Sequence, residues 1–198
     1  MNGSEKILNF IISPTESILS MEDRKYYPSS FATILLAVFS LVLSINIITG
    51  RGLTVSMLLT RFSIMFLCAL SIWIACASLY HFSAEITGGQ GNVITLLSLI
   101  GFSTAPMLLL APLSLLIMLV GNYTGILYGI VLCGMCIWVL MLMLRSLSLH
   151  YSLNHLIAAC IVGAPLYIVP LLMLLMILLL ILISKISGSL KIVSSFIT

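Results

Sequence analysis

Charged residues are scarce in this sequence. Of its 198 residues only 7% are Asp, Glu, Lys or Arg, whereas 62% are hydrophobic. A soluble domain carries about 25% charged residues, so a chain with a mean hydropathy of +1.30 cannot hide its apolar surface in water. The net charge of +3 is spread out without a basic cluster, which argues against nucleic-acid binding. The composition therefore predicts an integral membrane protein, with the lipid bilayer as its first partner.

Catalytic motifs are also missing. The sequence has neither a G-x-S-x-G nor an H-E-x-x-H pattern, so it offers no familiar nucleophile or zinc site. The five cysteines all lie in apolar segments, where cysteine commonly packs as a small hydrophobe. Cys133 and Cys136 form a C-x-x-C, which could indicate redox or metal chemistry. No His, Asp or Glu lies near them in the sequence, so packing is favoured. We predict no enzymatic activity, no cofactor and no bound metal.

Five apolar stretches are long enough to cross a membrane as helices, which requires about 20 residues each. The third and fifth each contain two prolines, Pro106 with Pro112 and Pro165 with Pro170. We expect these prolines to kink or break the two spans. The predicted fold is an all-α polytopic membrane protein with spans at 31–49, 62–84, 93–120, 123–144 and 156–184.

The residues before the first span are predicted to form an interfacial amphipathic segment. Ser13, Pro14 and Glu16 fit a helix start in which Ser13 is the N-cap. No cleavable signal peptide is expected, because the early apolar run is shorter than the roughly 7–15 residues of a signal sequence. The chain is therefore divided into an N-terminal segment (1–30), a five-helix transmembrane domain (31–184) and a short C-terminal tail (185–198).

The distribution of basic residues does not fix the orientation of the spans. Arg61 begins the predicted second span, where we expect its guanidinium to reach the headgroups. With five spans the Lys/Arg count is equal on the two sides, so the positive-inside rule does not indicate an orientation. One side holds Lys6, Arg24, Lys25 and Arg145, and the other holds Arg51, Arg61, Lys185 and Lys191.

One stretch between the second and third spans gathers polar residues. Glu85 is the only carboxylate after Asp23, and a lone acid near the membrane usually faces a partner, a cavity or the interface. His81 lies four residues earlier, so a continuing helix would place both on one face. Gly88 and Gly89 then allow a tight turn, because glycine reaches positive φ at little cost.

A second polar loop is predicted on the same membrane face, since two spans separate it from the first. It supplies Arg145, His150 and His155. Three interpretations remain open for the combined group: Glu85 could pair with Arg145 or His81 and join the loops, the group could dock a partner protein or a headgroup, or it could bind a divalent metal or relay protons. The candidate contact residues are His81, Glu85, Gly88, Gly89, Arg145, His150 and His155.

The sequence resembles the Yip family, the Ypt/Rab-interacting membrane proteins and their prokaryotic relatives. The resemblance rests on the Ser13-Pro14 helix start, His81 at the close of the second span, Gly88-Gly89, and Ala105-Pro106 in the third span. It implies a cytoplasmic N-terminus, which would place the polar group on the cytoplasmic face. Eukaryotic members act in vesicle traffic, bind Rab GTPases and carry a long soluble N-terminal region that is absent here. We therefore expect a prokaryotic inner-membrane member.

Two functions follow from these expectations. The first is a non-catalytic membrane scaffold or adaptor that docks an unknown membrane or cytoplasmic protein through loops 81–92 and 145–155. The alternative is a carrier for a small molecule, ion or lipid, because interrupted helices often line transporter sites. Five spans are few for a carrier, so that alternative would require a homo-oligomer.

Overall fold

A computed structural model describes residues 27–50, 54–121 and 123–165, together with Tyr167 and Leu174. Within these residues the ordered elements are all helical. The predicted amphipathic segment with its Ser13 cap, the later part of the fifth span with Pro170, and the C-terminal tail lie outside the described residues. The elements are α1 (Tyr27–Thr49), α2 (Val55–Ile86), α3 (Val93–Ser103), a 3₁₀ turn (Ala105–Leu109), α4 (Leu110–Met118), α5 (Thr124–His150) and α6 (His155–Pro165).

The described residues include four stretches that are long and apolar enough to cross a membrane. They correspond to the first four predicted spans and confirm the all-α polytopic membrane fold. The predicted end of the fourth span at residue 144 was wrong, because α5 continues to His150 and includes the first half of the predicted loop 145–155. The fifth span is described only as His155–Pro165, so Pro165 stands at the edge of the described region. The chain divides into two compact units, Met1–Val162 and Gly163–Thr198. Helices α1 to α5 and their contacts belong to the first unit. The four stretches are Tyr27–Thr49, Val55–Ile86, Val93–Met118 and Thr124–His150.

The second span is longer than the sequence predicted. It begins at Val55 rather than at residue 62 and contains 32 residues, a length of about 48 Å. The prediction placed Arg61 at the start of the span. This placement was wrong, since Arg61 lies inside α2 and its Nη1 donates a hydrogen bond to Asn46 Oδ1 at 2.5 Å. The amide of Asn46 on α1 is thus a hydrogen-bond partner of Arg61, whose reach to the headgroups stays a prediction.

Helix α1 packs against the third span through a face of small residues. Gly101 on α3 meets this face so closely that an added Cβ would lie 2.9 Å from Ser30 Cβ. The buried hydroxyls do not remain unpaired, because Ser30 and Thr33 donate to the carbonyls of Tyr27 and Ser29 on their own helix. Small side chains allow such close helix packing in membranes. The face consists of Ser30, Thr33, Ala37, Ser40 and Ser44, all buried and spaced three or four residues apart.

The third span is interrupted between α3 and α4, where the chain forms the 3₁₀ turn. Pro106 lies at the start of this turn and Pro112 in the first turn of α4. Proline has no N–H, so Pro112 leaves the Leu108 carbonyl without its helical donor. Ser40 Oγ on α1 donates to that carbonyl and also accepts a hydrogen bond from the Ala111 N–H, both at 3.0 Å. A neighbouring helix therefore satisfies the backbone groups that the break exposes.

Aromatic side chains join α1 to α2. Phe31 and Phe66 meet edge to face with ring centroids 5.7 Å apart, and Tyr27 stacks on Trp73 at 5.9 Å. The indole of Trp73 also donates to the Leu97 carbonyl of α3 at 3.0 Å. Trp73 therefore links the first three helices. Because it stacks on Tyr27 at the start of α1, the part of α2 that follows Trp73 extends beyond the start of α1.

Candidate functional site

The last turn of α2 positions the first polar loop. Gly88 has a φ of +88°, and its N–H bonds to the Glu85 carbonyl at 3.0 Å. The next N–H, of Gly89, bonds to the Ala84 carbonyl at 2.9 Å. This pair of hydrogen bonds is the Schellman motif, which ends helices at a residue with left-handed conformation. Gly88 is therefore explained by backbone conformation, and the motif turns the chain sharply toward α3.

Tyr151 forms the centre of the site, although no motif in the sequence points to it. It directly follows α5 and is 2% exposed. Its hydroxyl is 2.5 Å from His81 Nδ1 on α2. Its ring lies against the glycine loop, where a Cβ added to Gly91 would be 2.6 Å from Tyr151 Cε1 and one added to Gly89 would be 3.0 Å from Tyr151 Cβ. Glycines in this loop therefore make room for an aromatic ring.

His150 connects the end of α5 to the start of α3. Its Nε2 lies 3.1 Å from both the N–H and the carbonyl oxygen of Asn92, so it can accept from the first or donate to the second according to its tautomer. Asn92 is the N-cap of α3, since its Oδ1 accepts from the Ile94 N–H at 2.9 Å. The His150 ring also meets Tyr151 edge to face at 4.9 Å. The two loops therefore contact each other through side chains and backbone together.

Glu85 pairs with His81. Glu85 Oε1 lies 3.3 Å from His81 Nε2, as the spacing of four residues allows. A single neutral tautomer satisfies both sides of the ring, with Nε2–H donating to Glu85 and Nδ1 accepting from the Tyr151 hydroxyl. Among the described residues no ion pair joins Glu85 to Arg145. Of the pairings left open by the sequence, the structure contains the one within α2.

Burial and charge keep Tyr151 in its neutral form. Loss of solvent raises the pKa of its phenol from 10.0 to about 12, and the negative charge of Glu85 adds to the shift. The phenol therefore keeps its proton at neutral pH, and it donates to His81 in the tautomer whose proton is on Nε2. Because Tyr151 is buried, this chain of hydrogen bonds holds the loops together and leaves the hydroxyl out of reach of a substrate.

The predicted site residues fall into two groups. In the first, His81, Gly89 and His150 contact Tyr151, Glu85 pairs with His81, and Gly88 forms the adjacent turn. In the second, Arg145 and His155 are exposed side chains on the neighbouring helix ends. The described residues contain no group of three or more His, Cys, Asp or Glu that could hold a metal ion. Tyr151 and Asn92 belong to no sequence motif. The only signal for them is the glycine-rich first loop, whose small residues leave room for an aromatic ring.

A cavity of about 270 Å³ lies beside the break in the third span. Its walls come from α1, α2, α3, α5 and the 3₁₀ turn, and they are almost wholly apolar. Thr104 and Met107 reach it from the interrupted segment, Trp73 from α2 and Met143 from α5. We refer to it as the mid-membrane cavity.

A family model described as the Yip1 domain matches residues 8–178 of the chain. No curated protein and no solved structure matches it.

Proposed function

Because the chain belongs to the Yip1 domain family, we propose that it is a non-catalytic membrane adaptor that binds a partner protein through one polar surface. This surface, the loop surface, consists of residues 81–92 and 145–155. The family match supports a membrane protein of the Yip type, and the geometry of the two loops supports the docking role. In this proposal the loop surface faces the cytoplasm of a prokaryotic cell.

One observation carries the proposal: Tyr151 fastens the two loops into a single preformed unit. It contacts Gly89 and Gly91 of the first loop and bonds to His81 at the end of α2. Ordering loops at the moment of binding costs free energy, and a surface that is already ordered avoids that cost. Tyr151 thus acts as a buried clamp on the two loops, and the ordered polar groups above this clamp are suited to partner recognition.

The exposed groups above the clamp include side chains of negative and of positive charge, which can contact a partner. Glu85 is 56% exposed even though it pairs with His81, and Gln90, Arg145 and His155 are also exposed. Charged groups on an interface rim contribute mainly to partner selection and to the rate of association. The partner is accordingly a protein with a mixed polar surface at the membrane boundary.

Site-specific photo-crosslinking in intact cells tests the proposal. A photo-reactive residue is placed at Gln90 in one loop and, separately, at His155 in the other. Tyr123, an exposed residue at the start of α5 and so at its opposite end, serves as the control. We expect the same protein to be captured from both loop positions and not from Tyr123. Glu85→Gln and Arg145→Gln should reduce the yield while the protein stays inserted.

Two results would contradict the adaptor function. One is capture of unrelated proteins from the two loops, since a single docking surface has one partner at a time. The other is an unchanged yield in both charge variants, because the exposed charges are assigned to recognition.

The mid-membrane cavity favours a second candidate, a carrier. Its position beside an interrupted span resembles the arrangement of transporter sites. However, Ser40 already satisfies the freed backbone of the break, so the cavity receives no free carbonyl from Leu108. With its apolar walls it suits a lipid chain or another hydrophobic molecule better than an ion. As a carrier this small protein would act as a homo-oligomer.

Transfer of a fluorescent lipid between the leaflets of proteoliposomes distinguishes the carrier from the adaptor. Ala69 lines the cavity, so Ala69→Trp should fill it and slow a carrier. Leu115→Trp places the same indole on an exposed position of α4 away from the cavity and is the control. No transfer above that of protein-free liposomes would exclude lipid transfer as the carrier activity.

A further inference from the structure

A second cavity, of about 160 Å³, lies at the other end of α2 from the loop surface. It is lined by Val42, Ile45 and Asn46 of α1 and by Arg61, Ile64 and Met65 of α2. Apart from Asn46 and Arg61 its walls are apolar. Arg61 is six positions after Val55, about 9 Å along the helix, so the cavity combines a cation with hydrocarbon-like walls near one end of the span. We refer to it as the Arg61 cavity.

The cation in this cavity has a neutral partner. Nη1 of Arg61 donates to Asn46 Oδ1 at 2.5 Å, and Asn46 Nδ2 is in turn held by the Val42 carbonyl at 2.8 Å. Asn46 is 5% exposed, so its amide is fixed and orients the guanidinium. A guanidinium has five N–H donors and keeps its positive charge, which leaves most donors for another acceptor.

No carboxylate in the described part of the chain neutralises Arg61. The one carboxylate there, Glu85, lies at the far end of α2 and pairs with His81. A half-buried charge without a counter-ion is costly in a medium of low dielectric constant. Within the described residues the site therefore has no counter-ion, and the phosphate oxygens of an external anion match a planar guanidinium in geometry.

We propose that the Arg61 cavity binds one anionic phospholipid. The lipid phosphate receives the free N–H groups of Arg61, and an acyl chain lies along Val42, Ile45, Ile64 and Met65. Charge complementarity selects the headgroup, and the apolar walls at this depth select a lipid over a free anion. This site is independent of the loop surface, because the two lie at opposite ends of α2.

Asn46→Asp is the decisive variant. It is nearly the same size as Asn46 and gives Arg61 a carboxylate within the chain, so that no external anion is needed. The hydrogen bond from Asn46 Nδ2 to the Val42 carbonyl is lost in this variant, so its fold is checked by helix content before lipid binding is compared. If Arg61 only stabilises the fold, this change keeps or strengthens its role. If the cavity binds an anionic lipid, the change removes the preference for that lipid while the protein remains folded.

The experiment is native mass spectrometry of the full-length protein in mild detergent, titrated with phosphatidylglycerol or phosphatidylcholine of the same chain length. Wild-type protein should bind phosphatidylglycerol about fivefold more tightly, the effect expected of one cation near a membrane surface. Asn46→Asp and Arg61→Gln should bind the two lipids equally. Arg61→Lys keeps the charge and should retain a preference.

Three results would overturn the proposal. Asn46→Asp could retain the wild-type preference, or wild-type protein could bind both lipids equally. The third result comes from thermal unfolding of the same protein in detergent. If inorganic phosphate at millimolar concentration raised the unfolding temperature as much as phosphatidylglycerol does, a free anion would be the occupant. We expect inorganic phosphate to give no shift, because it cannot fill the apolar part of the cavity.

Discussion

Ser40 on α1 donates a hydrogen bond to the Leu108 carbonyl at 3.0 Å, the group whose helical donor would have been the missing N–H of Pro112. The same hydroxyl accepts from the Ala111 N–H. A single side chain thus closes the hydrogen bonding of an interrupted membrane helix, in a medium where water cannot do so. The break is therefore part of the packed bundle, and its rigidity depends on a residue 68 positions away along the chain.

Ser40→Ala should destabilise the protein by about 1–2 kcal/mol, because it leaves a buried carbonyl and a buried N–H unpaired. The measurement is reversible unfolding in mixed micelles of increasing denaturing-detergent fraction. Ser78→Ala is the matched control, since Ser78 is exposed and donates to Ile74 on its own helix. Equal effects of the two substitutions would mean that the third span does not rely on Ser40.

Gly91→Ala should displace Tyr151 and destabilise the loop surface by about 1–3 kcal/mol, the usual effect of overpacking. The reason is the 2.6 Å separation between an added Cβ and Tyr151 Cε1. In the double variant with Tyr151→Ala the clash disappears, so the two effects should not add. Gly125→Ala, where an added Cβ meets nothing within 4 Å, should be neutral or stabilising. Additive effects at Gly91 and Tyr151 would show that the two residues are not in contact.

Gly101→Ala should weaken the packing of α1 on α3. An added Cβ would approach Ser30 Cβ at 2.9 Å and the Ser30 carbonyl oxygen at 3.2 Å, and the backbone atom cannot rotate away. We expect a loss of about 1–3 kcal/mol in the same unfolding assay. Ser30→Gly should restore part of this loss by removing the nearer contact. A stable Gly101→Ala protein that gains nothing from Ser30→Gly would contradict the close approach of the two helices.

Tyr151 should make the protein sensitive to alkaline pH. Its pKa is about 12 in the folded protein and 10.0 as the ordinary value, so the folded state holds the phenol proton more tightly than the unfolded state. The stability from this group is present below pH 10.0 and is lost as the pH rises toward 12. Tyr151→Phe has no such proton, so its stability should change less over this range. Parallel pH profiles of the two proteins would contradict the burial of the hydroxyl beside His81.

Hydropathy was sufficient to predict the fold class and four of the spans, because length and apolarity alone define a membrane helix. It placed the start of α2 too late, since a sequence does not reveal that Asn46 on another helix would partner Arg61. The prolines predicted an interruption of the third span, but the role of Ser40 depends on how α1 packs. Likewise His81 and Glu85 were recognisable by their spacing, whereas Tyr151 became central only through its contacts with a distant glycine loop.

The most direct test of the adaptor function is the crosslinking yield from both loops when the clamp is removed. Tyr151→Ala is combined with the photo-reactive residue at Gln90 and, separately, at His155, in protein whose membrane insertion and helix content are unchanged. We expect capture of the common partner to fall from both positions together, because one buried residue orders both loops. Undiminished capture from either position would contradict the claim that the two loops form one docking surface.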